Sequence, residues 1–304
     1  MREGGKQPQA AIIGAGQIGS ALASVMRKAG RAPALWDKDA GKLNGAEDFP
    51  RVVSNATIIF LCVPSWANRE VARNILGCIE SSQRRIIITL SKGIESESLK
   101  TMDEVLKDEL GGRADYGVLV GPMLAEELLA GQPATGVFGV SHAEWKKEIR
   151  RLFHNTALRA EFSPDLHGLA VCSVLKNIYS LALGMADGLG LGVNVRSRLT
   201  LEAYGEMREI TRFLGGKRET VQGLAGLGDL LATGWSSLSR NFTAGRDLVL
   251  KNERNLSSEG SVSLLPVSRL LGARLKRFRI LYSIKQILMD KKDVRAILES
   301  RMLT

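Results

Sequence analysis

The sequence predicts an α/β chain: a doubly wound, Rossmann-type parallel sheet over residues 8–163, followed by an all-helical domain over 164–304. Three observations predict it. Short apolar runs alternate with stretches of helical spacing through the first half. A glycine pattern joins the first run to the first helical stretch. Strand signal fades after Pro164, and helical periodicity runs from Gly168 onward.

Taken in order, "MREGGKQPQ" reads as a short, floppy arm. "AAIIGAG" is the first strand, and "QIGSALASVMRKAG" is a helix closed by Gly30. "APALWD", "ATIIFLCVP" and "RRIIITLSKG" are the next strands, followed by "YGVLVGP" and "ATGVFGV". The runs are continuously apolar rather than alternating, which marks burial on both faces. Strands of that kind separated by helices imply a parallel sheet. The later helices are broken by glycine-rich turns at 188–192, 215–216 and 223–228.

The 304 residues are 44% hydrophobic, enough for a core that needs no disulfide. The three cysteines, Cys62, Cys78 and Cys172, sit in apolar contexts without a CxxC. The three histidines have no metal-ligand spacing, so no metal is expected. A reduced, cytoplasmic protein is the expectation. The N-terminal residues lack the apolar run of a signal peptide, and the apolar runs read as short of the ~20 residues a membrane span needs.

The net charge is +10, and from Leu264 to Thr304 there are ten Lys/Arg against three Asp/Glu. "ARLKRFRILYSIKQILMDKK" reads first as a solvated basic helix face; peripheral membrane contact stays open. Aromatic residues suited to stacking bases are absent from it, so no nucleic-acid partner is expected.

Gly14, Gly16 and Gly19 form GxGxxG between a strand and a helix, with Gln17 and Ile18 inside the pattern. Such a turn lets the backbone approach a pyrophosphate and turns a helix N-terminus toward it. Asp37 ends the second strand, either as a turn aspartate or as the carboxylate that binds the adenosine ribose 2′-hydroxyl and repels a 2′-phosphate. The expected cofactor is therefore NAD, with NADP left open by the neighbouring Lys38. Pro64 ends another strand and either lines the nicotinamide side or starts a helix. Lys92 ends a further strand, as a substrate- and cofactor-reaching residue or as an ordinary loop lysine.

The stretch Cys172–Asp187 carries one charge, Lys176. On a helix, Val171, Val174, Leu175, Ile178, Leu181, Ala182 and Met185 share an apolar stripe. Ser173, Lys176, Asn177, Ser180, Gly184 and Asp187 share the other face, which is small and polar and suits the wall of a filled cavity. A desolvated lysine there can act as general acid or base. "GLAGLGDLLATGWSSLSRN" adds Asp229, either a helix cap or a site residue, with Thr233, Arg240 and Asn241 beyond it. An arginine fork suits a phosphate, so a small phosphorylated hydroxy or keto compound is the expected substrate.

"GAGQIGSALA", "CVPS", "SKGIE", "GPMLAEELLAG", "LKNIYSLALGMADGLGLGVN" and "GLAGLGDLLATGWSSLSRN" together resemble the NAD(P)-dependent glycerol-3-phosphate dehydrogenase family, from about Ala10 to the 250s. The resemblance implies reversible hydride transfer between a nicotinamide and dihydroxyacetone phosphate, giving sn-glycerol 3-phosphate for glycerophospholipid synthesis, in a homodimer. It implies that Lys176 moves the proton at the substrate oxygen, supported by Asn177, and that Asp229 orients it. Lys92 would touch substrate and cofactor. Thr233, Ser239, Arg240 and Asn241 would hold substrate, with Arg240 also near the cofactor. Gly121 and Ala125 match the family's GPxxA loop, and Glu259 its cofactor-contacting glutamate. Three departures stand out: Met123 replaces a hydroxyl residue, Ala170 replaces a glutamate, and only residues 38–57 lie between Asp37 and Ile58. They keep two alternatives in view: another small hydroxy or imino acid as substrate, or a dinucleotide-binding regulator without turnover.

Overall fold

The structure, a computed structural model, describes residues 9–43, 48–80, 83–254 and 256–302; the expected N-terminal arm lies outside the described residues except for Gln9. The chain divides into two compact units. One contains the residues up to Ser91 and Met102–Leu166; the other contains Lys92–Thr101 and the residues from His167 onward.

In the first unit the strands are β1 (Ala10–Ile13), β2 (Ala34–Trp36), β3 (Ile58–Leu61), β4 (Ile86–Thr89), β5 (Asp115–Val120), β6 (Ala134–Val140) and β7 (Leu158–Phe162). The helices are α1 (Gln17–Lys28), α2 (Phe49–Ser54), α3 (Asn68–Cys78), α4 (Met102–Leu110), α5 (Ala125–Leu129) and α6 (Trp145–Phe153). The sheet order is β2-β1-β3-β4-β5-β6-β7. Every residue of β1, β3 and β4 is buried, as their unbroken apolar runs require. Alternate side chains enter opposite cores. Ile12, Phe60 and Ile88 pack with Leu22, Met26 and Phe153, whereas Ile13, Ile59 and Ile87 pack with Val53, Ile75 and Leu106.

Two features differ from the expected parallel sheet. β6 pairs antiparallel with β5, with Gly117 opposite Val140. Its connection holds only the five residues of α5, too little helix for a crossover of the parallel kind. β7 is an additional strand beside β6, with only Leu158 fully buried. A half-exposed edge strand lacks the continuous apolar run that revealed the others. Between β2 and β3 the described residues hold a 3₁₀ turn, Ala40–Lys42, and α2, with no strand.

The second unit is built around α7 (Leu166–Gly188), with α8 (Val193–Phe213), α9 (Arg218–Gln222), α10 (Asp229–Gly234), α11 (Arg240–Leu250), α12 (Glu259–Leu271), α13 (Arg279–Leu288) and α14 (Val294–Met302). α7 is buried all round from Gly168 to Ala186. Its Leu175, Ile178, Leu181 and Met185 pack with Leu199, Met207, Leu230, Leu264, Leu281 and Ile284. The expectation that apolar runs fall short of a span is corrected here: α7 is long and apolar enough to cross a membrane, but it is wholly packed within the fold, as a core helix is.

At Gly184 the small polar face of α7 admits another helix rather than a cavity. A Cβ on Gly184 would stand 2.0 Å from the Phe242 carbonyl oxygen, and one on Gly245 would stand 2.1 Å from that of Leu181. α7 and α11 therefore cross backbone against backbone. Gly260 of α12 meets α7 in the same way, a Cβ there falling 2.4 Å from the Asn177 oxygen. Small residues here make a helix-packing seam around the single lysine.

The basic segment divides into a 3₁₀ turn, Gly272–Arg277, and the amphipathic α13. Ile280, Leu281, Ile284 and Ile287 face the core, while Arg274, Lys276, Arg277 and Arg279 are exposed. Glu206 of α8 anchors the start of α13, accepting the Ile280 and Leu281 N–H groups at 2.8 and 3.1 Å and the Tyr179 hydroxyl at 2.8 Å. Burial holds its carboxyl above the usual range despite these donors.

Candidate functional site

In the first unit the loop after β1 is shaped by its three glycines. Gly14 has φ +106°, and a Cβ there would lie 2.5 Å from the Cys62 carbonyl oxygen. A Cβ on Gly19 would lie 1.9 Å from the Gly14 oxygen, so strand and helix close only around glycine. Gly16 caps α1 without a side-chain hydrogen bond, and a Cβ on it would meet nothing within 4 Å. An open approach over a helix N-terminus led by Gln17 and Ile18 fits a dinucleotide pyrophosphate.

Asp37 closes this loop from the end of β2. Its Oδ2 accepts the Ala15 N–H at 2.7 Å, its Oδ1 accepts the Asp39 N–H at 2.9 Å, and Lys42 Nζ stands 3.6 Å away. Burial pushes its pKa up, but these donors outweigh burial and hold it below the usual carboxylate range. The group therefore remains ionised at neutral pH beside the glycine loop.

Pro64 leads into a single turn, Ser65–Ala67, at the end of β3. The buried Asn68 pins that turn, donating to the Pro64 and Ser65 carbonyls at 3.2 and 3.3 Å. Thr89 Oγ1 donates to Asn68 Oδ1 at 2.7 Å and accepts the Ser91 N–H at 3.0 Å, and Ser91 Oγ donates to the Val63 carbonyl at 2.5 Å. This buried polar network ties together the ends of β3 and β4. Sequence reasoning missed it; its one signal was an asparagine and a threonine among strongly apolar neighbours. Gly121 ends β5 with φ +119°, and Ala125 opens α5. Met123 between them packs against the sheet core, where a Cβ on Gly136 would lie 3.0 Å from its sulfur.

The second unit brings together Lys176, expected to move the proton, Asp229, expected to orient it, and Lys92, expected to touch substrate and cofactor. Asp229 opens α10, directly after a π-helical turn at Leu224–Gly228, so it is not the cap of that helix. Such turns recur at functional sites because they displace a side chain from ordinary helical register. Asp229 Oδ1 accepts from Lys176 Nζ at 3.0 Å, and its Oδ2 accepts from Lys92 Nζ at 2.8 Å. Lys176 is 3% exposed and Asp229 1%. Burial lowers the Lys176 pKa from 10.5 to about 7, opposed by the charge of Asp229 and reinforced by Lys92. Asp229 is held below the usual range, because the two ammonium groups outweigh its own burial. Two cations on one carboxylate leave a net positive centre, suited to a developing oxyanion or a phosphorylated ligand.

Neighbouring polar groups fix the trio. Thr233 Oγ1 donates to the Asp229 carbonyl at 2.6 Å and lies 3.1 Å from Ser180 Oγ, which donates to the Lys176 carbonyl at 2.8 Å. Ser239 caps α11, accepting the Phe242 N–H at 3.4 Å, and Arg240 follows it, exposed. Asn241 Oδ1 accepts the Gly260 N–H at 2.9 Å, which links α11 to the start of α12 beside Glu259. Asn177 is buried next to Lys176. The carbonyl of Ala170 accepts from Ser173 Oγ at 2.7 Å, a local helix bond that needs no glutamate. Among the described residues no cluster of three or more His, Cys, Asp or Glu could hold a metal ion.

The family profiles and the curated relatives give one family. The family profile described as "NAD-dependent glycerol-3-phosphate dehydrogenase C-terminus" matches residues 165–299, and the corresponding "N-terminus" profile matches residues 40–146. The chain is 34% identical over 256 residues to a glycerol-3-phosphate dehydrogenase [NAD(P)+] of Clostridium acetobutylicum, covering 77% of this chain and 76% of that one. It is 29% identical to the same-named protein of Nitratidesulfovibrio vulgaris, covering 96% and 97%. Among solved structures it is similar to a glycerol-3-phosphate dehydrogenase of Coxiella burnetii, with TM-score 0.85, 26% identity, and 98% and 99% of the two chains covered.

Proposed function

Because the chain belongs to the NAD-dependent glycerol-3-phosphate dehydrogenase family, we propose that it reversibly reduces dihydroxyacetone phosphate to sn-glycerol 3-phosphate. It is an NAD(P)-dependent oxidoreductase. The observation that carries the specific reading is the buried Lys176, paired with Asp229 and lowered to a pKa of about 7. A group titrating near neutrality gives up and retakes a proton with little bias.

A nicotinamide held by these residues would supply the hydride in one direction and accept it in the other. Lys176, as the ammonium, stabilises negative charge on the carbonyl oxygen and then protonates it. Asp229 holds Lys176 and Lys92 in place, and Lys92 adds positive charge at the substrate. Asn177, Thr233 and Ser239 line the substrate side, with Arg240 and Asn241 directed to the phosphate. Gly14, Gly16, Gln17, Ile18 and Gly19 hold the cofactor pyrophosphate, and Asp37 its ribose. Pro64, Gly121, Ala125, Arg240 and Glu259 complete the cofactor and substrate contacts. Met123 favoured a different small hydroxy or imino acid in the sequence; its packing on Gly136 supports a role within the sheet instead.

NADH oxidation driven by dihydroxyacetone phosphate tests the reading, with NADPH in parallel. Turnover with NADH preferred is expected. NADH binding without turnover would favour the regulator alternative, and equal efficiency with NADPH would remove the role given to Asp37.

The same reading extends to a cytoplasmic homodimer whose product enters glycerophospholipid synthesis, an extension supported by family resemblance. The exposed Arg274, Lys276, Arg277 and Arg279 support peripheral contact with an anionic membrane. Each such cation contributes about 1 kcal/mol near an anionic surface, enough for weak, salt-sensitive binding. Co-sedimentation with anionic but not neutral vesicles, lost at high salt, is the expected result; equal behaviour with both would exclude the contact.

A further inference from the structure

Trp66 is 68% exposed, an unusual position for an indole in a well-packed unit. It lies on the turn after β3 that Asn68 pins through two carbonyls, so the ring is held outward by a fixed backbone. Lys38 Nζ stands 5.7 Å from the centroid of that ring. Lys38 follows Asp37 at the end of β2, and β2 and β3 are the two neighbours of β1. Lys38 and Trp66 therefore meet beside the glycine loop, from either side of the strand that carries it.

Asp37 gives this place its chemistry. An acidic residue at the end of the second strand of a dinucleotide fold marks the adenosine ribose. The residue after it, and the ring that residue touches, then flank the adenosine. The described residues of 38–57 hold a 3₁₀ turn and the six-residue α2.

We propose that Trp66 is the stacking platform for the adenine base of the cofactor, with Lys38 flanking it on the ribose side. The proposal rests on the dinucleotide reading above and adds two residues to it. An exposed indole is costly in water and is repaid when a purine covers its face. Every base offers such a face, and the Lys38 ammonium over the ring is held by its π-face while it complements the adjoining phosphates.

AMP separates this from the rest of the reaction, because it carries the adenosine and one phosphate but no nicotinamide. AMP and NADH would be titrated calorimetrically and by tryptophan fluorescence, against wild type, Trp66→Ala, Trp66→Phe and Lys38→Ala, with reduced nicotinamide mononucleotide as control. Trp66→Ala is expected to weaken AMP and NADH by about tenfold, the scale of one base–aromatic stack. It should leave the mononucleotide and the melting temperature unchanged, since the ring is exposed. Trp66→Phe should restore most of the loss, and Lys38→Ala should show a smaller one. Wild-type AMP affinity in Trp66→Ala, or no AMP binding by the wild type, overturns the proposal. If AMP binds through Trp66 but dihydroxyacetone phosphate is not turned over, the platform stands and the proposed reaction fails.

Discussion

Lys176→Ala is expected to lower kcat/KM for dihydroxyacetone phosphate reduction by about 10³-fold, the middle of the range for removing a general acid, while NADH affinity is unchanged. The lysine is buried and bonded to Asp229, so no water or second side chain can take over at the same atom without rearrangement. The pH dependence carries a sign that identifies the group. Its pKa is lowered to about 7 by burial, offset in part by Asp229. Carbonyl reduction requires the ammonium, so its rate falls as pH rises through about 7. Alcohol oxidation requires the amine, so its rate rises through the same window. Lys176→Arg should fail at oxidation at any accessible pH, because a guanidinium does not release its proton there. Initial rates in both directions across this range, with NADH affinity by fluorescence, check all three statements. A Lys176→Ala enzyme within tenfold of wild type would transfer the acid–base role to Lys92.

Lys176 was legible because a lone charge on an apolar helix breaks a local pattern. The glycine loop was legible for the same reason: its spacing is fixed within six residues. Asp229 was less so. Its place in the sequence allowed a simple helix cap, and its true role depends on two lysines that are 53 and 137 residues away. On the polar face of α7, Gly184 misled because its contact with α11 is made across helices; small residues look alike whether they line a cavity or admit another backbone. The direction of β6 was hidden by a short connection, which leaves the local hydrophobic period unchanged, and β7 by its partial exposure, which removes the continuous apolar run. The Asn68–Thr89 network was hidden because two isolated polar residues announce nothing until the fold brings them to 2.7 Å. What the sequence hid was in each case non-local, and the site depends on it: the two lysines are held by a single distant carboxylate.

That dependence makes Asp229→Asn the second large expected effect. The substitution keeps the shape but removes the charge that opposes burial of Lys176. Breaking a buried ion pair by neutralising one partner costs about 3 kcal/mol or more, which urea unfolding at neutral pH would read. The Lys176 pKa should fall below its wild-type value of about 7, since burial and Lys92 both lower it and their main counterweight is gone. The rate consequence follows in sign. At neutral pH the variant holds Lys176 as the amine, so carbonyl reduction is strongly reduced and recovers in part on acidification; oxidation suffers less. The stability consequence follows from linkage. In the wild type the unfolded chain binds more protons than the folded one between about pH 7 and 10.5, so the Lys176 contribution to stability rises with pH across that window. Asp229, whose pKa is lowered in the fold, contributes stability that is present above its ordinary value of 3.8 and is lost as pH falls. The gap between variant and wild type should therefore narrow as pH rises through about 7 and level off above it, where Lys176 is neutral in both folded chains. Unchanged stability together with an unchanged rate profile would show that the carboxylate does not set the charge state of the lysine, and the buried trio would then be a packing arrangement rather than a tuned acid.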